Sequence, residues 1–463
     1  MVIQPPFRGT APLQPGHVVE PAKPQSGKPQ APGPRPEPLA QQGESLQVSS
    51  QGRSSPQMDF IGDSFAEAYG RLNPAQKSQF DGLLQQSAKM PAFMAPAKPQ
   101  TLGPVYQGNP ADPFQGQGFG LVDVPFLNST DQQTLRNLLS DGTLLRKASD
   151  GQTVLEHLAA LVRDDHNDKT NGPVLARDLI RMLQPEDLNA LKQQANHMSY
   201  HLNDKGQRKQ DGIPMPGGLG EITQCPVHYT CGAASMQVWM RLNVPEELVR
   251  ITHDLVSKGE AGIPGGSLRP ARTSLDYHAG DKIFDNELWL TKAGNEDRSD
   301  LDIILQSALM DKIAIGNLSP YDVDADSGGI FNVIDGNSGG HPLYLKRTME
   351  KLTGKAFSYA HNLDIYSLGA AGRFLGNLSD RTPQADLVNQ LKNQVQAGKQ
   401  VMIAYQTKPS DPMALHFVTV VGYDAGSDKF YYADTDEKKT DRAKMYTKSS
   451  QDMQDVLRCV VYR

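Results

Sequence analysis

Cysteine is scarce in this chain: 463 residues contain three, Cys225, Cys231 and Cys459. So few in so long a sequence do not make a disulfide framework, and folding in a reducing compartment is expected. Long apolar runs are missing too. None approaches the roughly 18 residues needed to cross a bilayer, so no membrane span is expected. The first residues, MVIQPPFRGTAPLQPGHVV, hold no apolar core of about 7–15 residues behind a basic start, so no secretory signal peptide is expected. Positive charge is nowhere concentrated: 46 Lys and Arg stand against 52 Asp and Glu, for a net charge of −6. Phosphate binding needs dense positive charge, so nucleic acid and anionic membrane are excluded as the main partner.

The residues that are present divide the chain. A prior of about 150 residues per domain gives two or three units. Hydrophobic content of 38%, charged content of 21% and a mean hydropathy of −0.50 suit a soluble protein. Residues 1–56 include KPQSGKPQAPGPRPEPLAQQGES, which cannot bury enough apolar surface to offset ordering entropy; a disordered leader is expected there. Such a leader suits export through a specialised secretion system with a chaperone bound to it, as for a bacterial effector or toxin made in the cytoplasm.

Residues 57–205 read as a helical module with a Pro/Gly-rich connector over 91–120. Asn73 caps a helix with Pro74 at its first position, and Ser129 stands three residues before Gln132 in a capping-box spacing. Leu155, Leu158, Leu161 and Val162 recur at helical steps. His197 and His201, four apart on the last expected helix, lack a third ligand, so exposed or capping roles are expected for them. A polar, glycine-rich linker covers 206–220. Residues 221–463 then combine helices with a β-rich end, an α+β pattern. In TPQADLVNQLKNQVQAGKQVMIAYQ, Thr382 is the expected cap, Pro383 the start and Gly398 the stop, with a strand following. Gly354 ends the helix of PLYLKRTMEKL.

Chemistry concentrates at two places. In EITQCPVHYTCGAASMQVWMRLN, Cys231 opens a small-residue run, Gly232 to Ser235, ahead of Met236, Trp239, Met240 and Leu242 at helical spacing. A sulfur on the first turn of a helix meets free N–H groups and the positive dipole end, which favour thiolate. Gly232 and Ala233 would let a substrate carbonyl approach. Cys225 lies in the loop before and has no such advantage. The second place is HFVTVVGYDAGSDKFYYAD. If Asp424 to Gly426 form a three-residue hairpin loop, His416 falls directly opposite Asp434, within reach of an orienting hydrogen bond. Asp436 is the alternative carboxylate. Gln224 could supply a side-chain N–H to an oxyanion.

These pieces, with GHPLYLKRTMEKLTGK and KQVMIAYQ, resemble the papain-like cysteine peptidases, closest to the group of double-glycine leader peptidases of bacteriocin export. The resemblance covers the last half of the chain. It implies a helix carrying the cysteine packed on an antiparallel sheet carrying His and Asp. It also implies Cys231 as nucleophile, His416 as base, Asp434 as orienting acid and Gln224 as oxyanion donor, acting on a protein or peptide. Residues 255–340 have no counterpart in that pattern, and no transporter segments accompany it. The same machinery serves glutamine deamidation, transglutamination and acyl transfer on a partner protein. A non-catalytic interaction scaffold is the alternative outside enzymes.

No cofactor and no metal are expected. Cys225, His228 and Cys231 form C-x₂-H-x₂-C, but structural zinc takes four ligands and only distant Cys459 remains. DVDADSGGIFNV, 322–333, has Ser327 and Val333 where a calcium loop needs glycine and glutamate, so a polar turn is expected.

Overall fold

The computed structural model describes residues 64–91, 121–163, 172–197, 200–202, 208–215, 217–224, 230–270, 299–313, 342–363, 381–407, 415–435 and 443–463. The leader 1–56, most of the connector 91–120, Cys225, His228, Asp436 and the 322–333 turn lie outside the described residues.

The architecture is α+β, with 12 helices and a seven-stranded antiparallel sheet among the described residues. The first six helices are α1 (Phe65–Arg71), α2 (Pro74–Gln85), α3 (Ser129–Ser140), α4 (Val154–Arg163), α5 (Gly172–Leu183) and α6 (Leu188–Asn196). Asn73 caps α2 as expected, its side chain accepting from Gln76 N at 2.9 Å. At α3 the cap sits one residue before the expected Ser129. Asn128 accepts from Asp131 N at 2.8 Å, and Asp131 accepts from Asn128 N at 3.2 Å. Asparagine caps as well as serine does, and Asp131 gains a second partner in Arg181 at 2.7 Å. On α4, Leu155, Leu158 and Leu161 are fully buried. His197 follows the end of α6, whereas His201 lies in a short strand paired with 208–210, so the two do not share a helical face.

The rest of the chain builds the sheet and its covering helices. In order come β1 (Ile213–Pro214), α7 (Cys231–Asn243), α8 (Pro245–Lys258), α9 (Asp300–Ile313), α10 (Pro342–Thr353), β2 (Ser358–His361), α11 (Gln384–Gln396), β3 (Val401–Gln406), β4 (Leu415–Asp424), β5 (Lys429–Asp434), β6 (Lys444–Ser449), α12 (Ser450–Val456) and β7 (Leu457–Tyr462). The strand order is β1-β6-β5-β4-β3-β7-β2. β1 falls within the stretch read as linker, where Ile213 pairs with Met445. Helix α11 starts at Gln384 with Pro383 as its cap residue, rather than Thr382. Pro383 lends its carbonyl to Asp386 N and Leu387 N, which moves the boundary one residue on. Gly354 and Gly398 take φ of 64° and 78° just after their helices, the left-handed conformation that ends a helix at little cost for glycine.

Alternation along the strands decides what each face meets. Met402, Ala404, Phe417, Cys459 and Val461 join the core built by α7 and its neighbours, including Ala233, Ala234 and Met236. Val401, Ile403, Val418, Val420 and Val460 pack with Leu387, Val388, Leu391 and Val395 of α11. The sheet is therefore covered on both faces, and α7 is seated firmly. Thr419 Oγ1 donates to Ser235 O at 3.0 Å, and Trp239 Nε1 donates to Gln400 O at 3.2 Å.

A buried ion pair joins α7 to the first helices. Arg241 donates from Nε to Met182 O at 3.0 Å and also reaches Gln184 O, satisfying carbonyls at the end of α5. Its guanidinium lies 2.8 Å from Glu186, whose carboxylate accepts from Leu219 N. Burial pushes the Glu186 carboxyl above its ordinary range, and Arg241 pulls against that. Removing one partner of such a pair leaves an uncompensated charge, which typically costs about 3–5 kcal/mol. Arg241→Met is expected to lower the unfolding free energy by about that amount in urea denaturation. A loss below about 1 kcal/mol would show that the pair does not hold α7 to α5.

Candidate active site

Cys231 is the first residue of α7, half-buried, with Thr230 before it and Ala234 N bonded to Thr230 O at 2.9 Å. The backbone N–H groups of the first turn have no intrahelical partner, and the positive end of the dipole lies at the sulfur. Gly232 plays a different part from the one expected. It is buried, and a Cβ there would meet Ile313 Cδ1 at 3.0 Å and also touch Leu345 and Phe417. Its smallness lets the first turn of α7 pack between α9, α10 and β4.

His416 is the second residue of β4, and Asp434 the last of β5. His416 Nε2 lies 2.8 Å from Asp434 Oδ1, with both side chains buried. The Cys231 side chain also acts on the imidazole and favours its charged form. Since Nε2 faces the carboxylate, Nδ1 is the nitrogen left for the sulfur. Burial opposes charge on the ring, but Asp434 and then Cys231 outweigh it and hold the His416 pKa well above its ordinary value.

The contact with Asp434 is made diagonally, in a different register from the expected one. The hairpin turns over four residues, 425–428, with Asp428 at φ 51°, and Asp424 pairs with Lys429. A bulge between Val420 and Gly422 then shifts the ladder, so Thr419 pairs with Ala433. The register places Asp434 two residues off direct opposition to His416. Diagonal neighbours share a face and lie within reach of long side chains.

Gln224 is buried beside the end of β5. Its backbone N donates to Thr435 O at 3.2 Å, and its Oε1 accepts from Thr435 Oγ1 at 3.1 Å. The amide oxygen is thus turned to Thr435 and the NH₂ away from it. Three contributors to this cluster escaped the sequence reading. Thr435 could have been suspected only from adjacency to Asp434. Tyr405 stands edge-on to His416, ring centroids 5.4 Å apart, and its hydroxyl donates to Asp434 Oδ2 at 3.5 Å. Lys448 Nζ lies 5.6 Å from the Tyr405 ring, its pKa lowered by burial against the pull of Asp452 and Asp434. A tyrosine and a lysine in alternating strands carry no local signal for such a role.

The structure therefore brings Cys231, His416 and Asp434 together, and Gln224 next to Thr435 at the end of the same strand. Cys225 and Asp436, the alternatives in sequence, lie outside the described residues. Cys459 is fully buried on β7, and burial pushes its thiol well above the ordinary value. Among the described residues no group of three or more His, Cys, Asp or Glu could hold a metal ion, and no helix is long and apolar enough to cross a membrane.

Residues 344–456 match the Peptidase_C39 like family. The matched segment contains His416 and Asp434 and begins after Cys231, α8 and α9. The match bears out the resemblance to the papain-like cysteine peptidases and supports a hydrolase of the cysteine peptidase type. No curated protein matches the chain.

Proposed function

We propose that this chain cleaves peptide bonds with Cys231 as nucleophile, in a papain-like arrangement of α7 on the sheet. The observation that carries the proposal is one imidazole bonded to Asp434 at 2.8 Å, its charged form favoured by that carboxylate and by the Cys231 side chain that opens α7. Asp434 accepts from Nε2–H, which fixes the tautomer and aims Nδ1 at Cys231. The sulfur's proton passes to Nδ1, and the resulting imidazolium is stabilised by the carboxylate. The thiolate attacks the substrate carbonyl, and the oxyanion takes donors from the Cys231 N–H and the Gln224 NH₂. His416 then gives its proton to the leaving amine as the C–N bond breaks, leaving a thioester. Water, deprotonated by His416, attacks the thioester; the acid departs and the thiol is restored.

Alkylation tests this reading. A free cysteine titrates near 8.5, so it reacts slowly near pH 6. Iodoacetamide near that pH is expected to modify Cys231 in the full chain at least about tenfold faster than free cysteine, located by peptide mass mapping. A rate equal to that of free cysteine would remove the activated nucleophile from the proposal.

A further inference from the structure

Helix α9 comes from the stretch that has no counterpart in the resemblance, yet its buried polar residues reach the loop that carries Gln224. Asp302 and Gln306 are four apart on α9 and fully buried, as is Gln237 of α7. Asp302 Oδ1 accepts from Gln237 Nε2 at 2.6 Å. Its Oδ2 accepts from Thr223 N at 3.2 Å and Thr223 Oγ1 at 3.3 Å. Gln306 Nε2 donates to Gln237 Oε1 at 3.0 Å and to Thr223 O at 2.6 Å. The ring closes on Thr223, both of whose backbone polar groups are held from α9.

The peptide group joining Thr223 to Gln224 is consequently pinned at both ends. Its carbonyl accepts from Gln306, and its N–H donates to Thr435 O at 3.2 Å. The orientations follow from the carboxylate, which accepts and does not donate. It turns the Gln237 NH₂ toward itself and so presents the Gln237 oxygen to Gln306. The Gln306 NH₂ then faces two carbonyl oxygens. In that pose Gln306 Oε1 is buried and has no hydrogen-bond partner among the described residues. An orphaned buried acceptor is uncommon and calls for an explanation. Holding the Thr223 carbonyl supplies one.

We infer that Asp302, acting through Gln237 and Gln306, is a positioning residue for the Gln224 amide, which makes α9 a working part of the catalytic unit. This inference rests on the cysteine peptidase reading proposed above. Asp302→Asn offers an NH₂ where Gln237 or Thr223 needs an acceptor, with little change in shape. It breaks the orientation chain and loosens Gln224 while leaving Cys231, His416 and Asp434 in place.

Two reactions of the full chain separate positioning from mere packing. Iodoacetamide alkylates sulfur by displacement at a saturated carbon, where no oxyanion forms. p-Nitrophenyl acetate acylates it: the sulfur bonds to the acetyl carbon, p-nitrophenolate leaves with the C–O electron pair, and the sulfur's proton rests on His416. Only this route passes through an oxyanion. Losing one oxyanion donor typically costs about 10²–10³, so Asp302→Asn is expected to slow acylation by about tenfold to a hundredfold, with alkylation within about twofold of wild type. Gln224→Ala is expected to do the same, and the double variant to be no slower than Gln224→Ala alone, because residues acting through one group are not additive. Gln306→Met, which removes the orphaned oxygen as well, should show the same split and serves if Asp302→Asn does not fold. Acylation at the wild-type rate in the folded variant, or additive losses in the double variant, would overturn the inference. A wild-type chain that is not alkylated faster than free cysteine would count against the peptidase reading itself.

Discussion

Replacing Cys231 with alanine is expected to abolish acylation by p-nitrophenyl acetate and every turnover that depends on it. A nucleophile that works as a unit with its base accounts for a loss on the order of 10⁶ in kcat, beyond the range of such an assay. Cys225→Ala is expected to keep most of the activity, because it lies ahead of the helix whose first turn carries the sulfur. Cys459 provides an internal control: it is fully buried in the sheet, and burial disfavours its thiolate. Mass spectrometry after brief alkylation should therefore find one modified site in wild type and none in Cys231→Ala. Equal losses in the Cys231 and Cys225 variants would reverse the choice of nucleophile.

Asp434→Asn is expected to lower kcat by roughly 10⁴ without unfolding the chain, the magnitude seen when a triad carboxylate becomes an amide that favours the wrong imidazole tautomer. The pH dependence separates this from a loss of packing. Burial alone would lower the His416 pKa, and Asp434 is the largest influence opposing it. Without the carboxylate, the imidazolium gives up its proton at lower pH, and alkylation of Cys231 near pH 6 should fall. The sign for stability follows from the same shift. A histidine whose folded pKa is raised contributes fully below its unfolded value, near 6.5, and loses that contribution as pH rises through the folded value. The stability gap between wild type and Asp434→Asn should thus be widest in mild acid and close toward alkaline pH. An unchanged alkylation profile in the variant would mean that Asp434 does not govern His416.

Local features were legible because their causes lie within a few residues. Asn73 and Pro74 start α2, Gly354 and Gly398 end their helices, and Cys231 opens α7, all through backbone groups of the adjacent turn. Where two cap residues competed, the reading slipped by one position, as at Asn128 and Pro383. The hairpin at 425–428 shows a different failure. Its turn is one residue longer than the three-residue loop expected, and the bulge at Val420/Gly422 restores His416 and Asp434 to a common face by a route no local pattern marks. The proposed pair survives because two errors of register partly cancel.

The sequence by itself determined which atoms could do chemistry: a sulfur on the first turn of a helix, an imidazole early in a β-branched strand, a carboxylate at the end of the next one. Helix starts, stops and strand periodicity are written in neighbouring residues, so they can be read one segment at a time. The tertiary structure decided how these atoms meet, the diagonal His416–Asp434 contact, the hold of Thr435 on Gln224, and the reach of Asp302 and Gln306 to Thr223. Those contacts join residues far apart in the chain, and each depends on hydrogen-bond partners that become neighbours only once the apolar faces of α7, α9 and the sheet have packed.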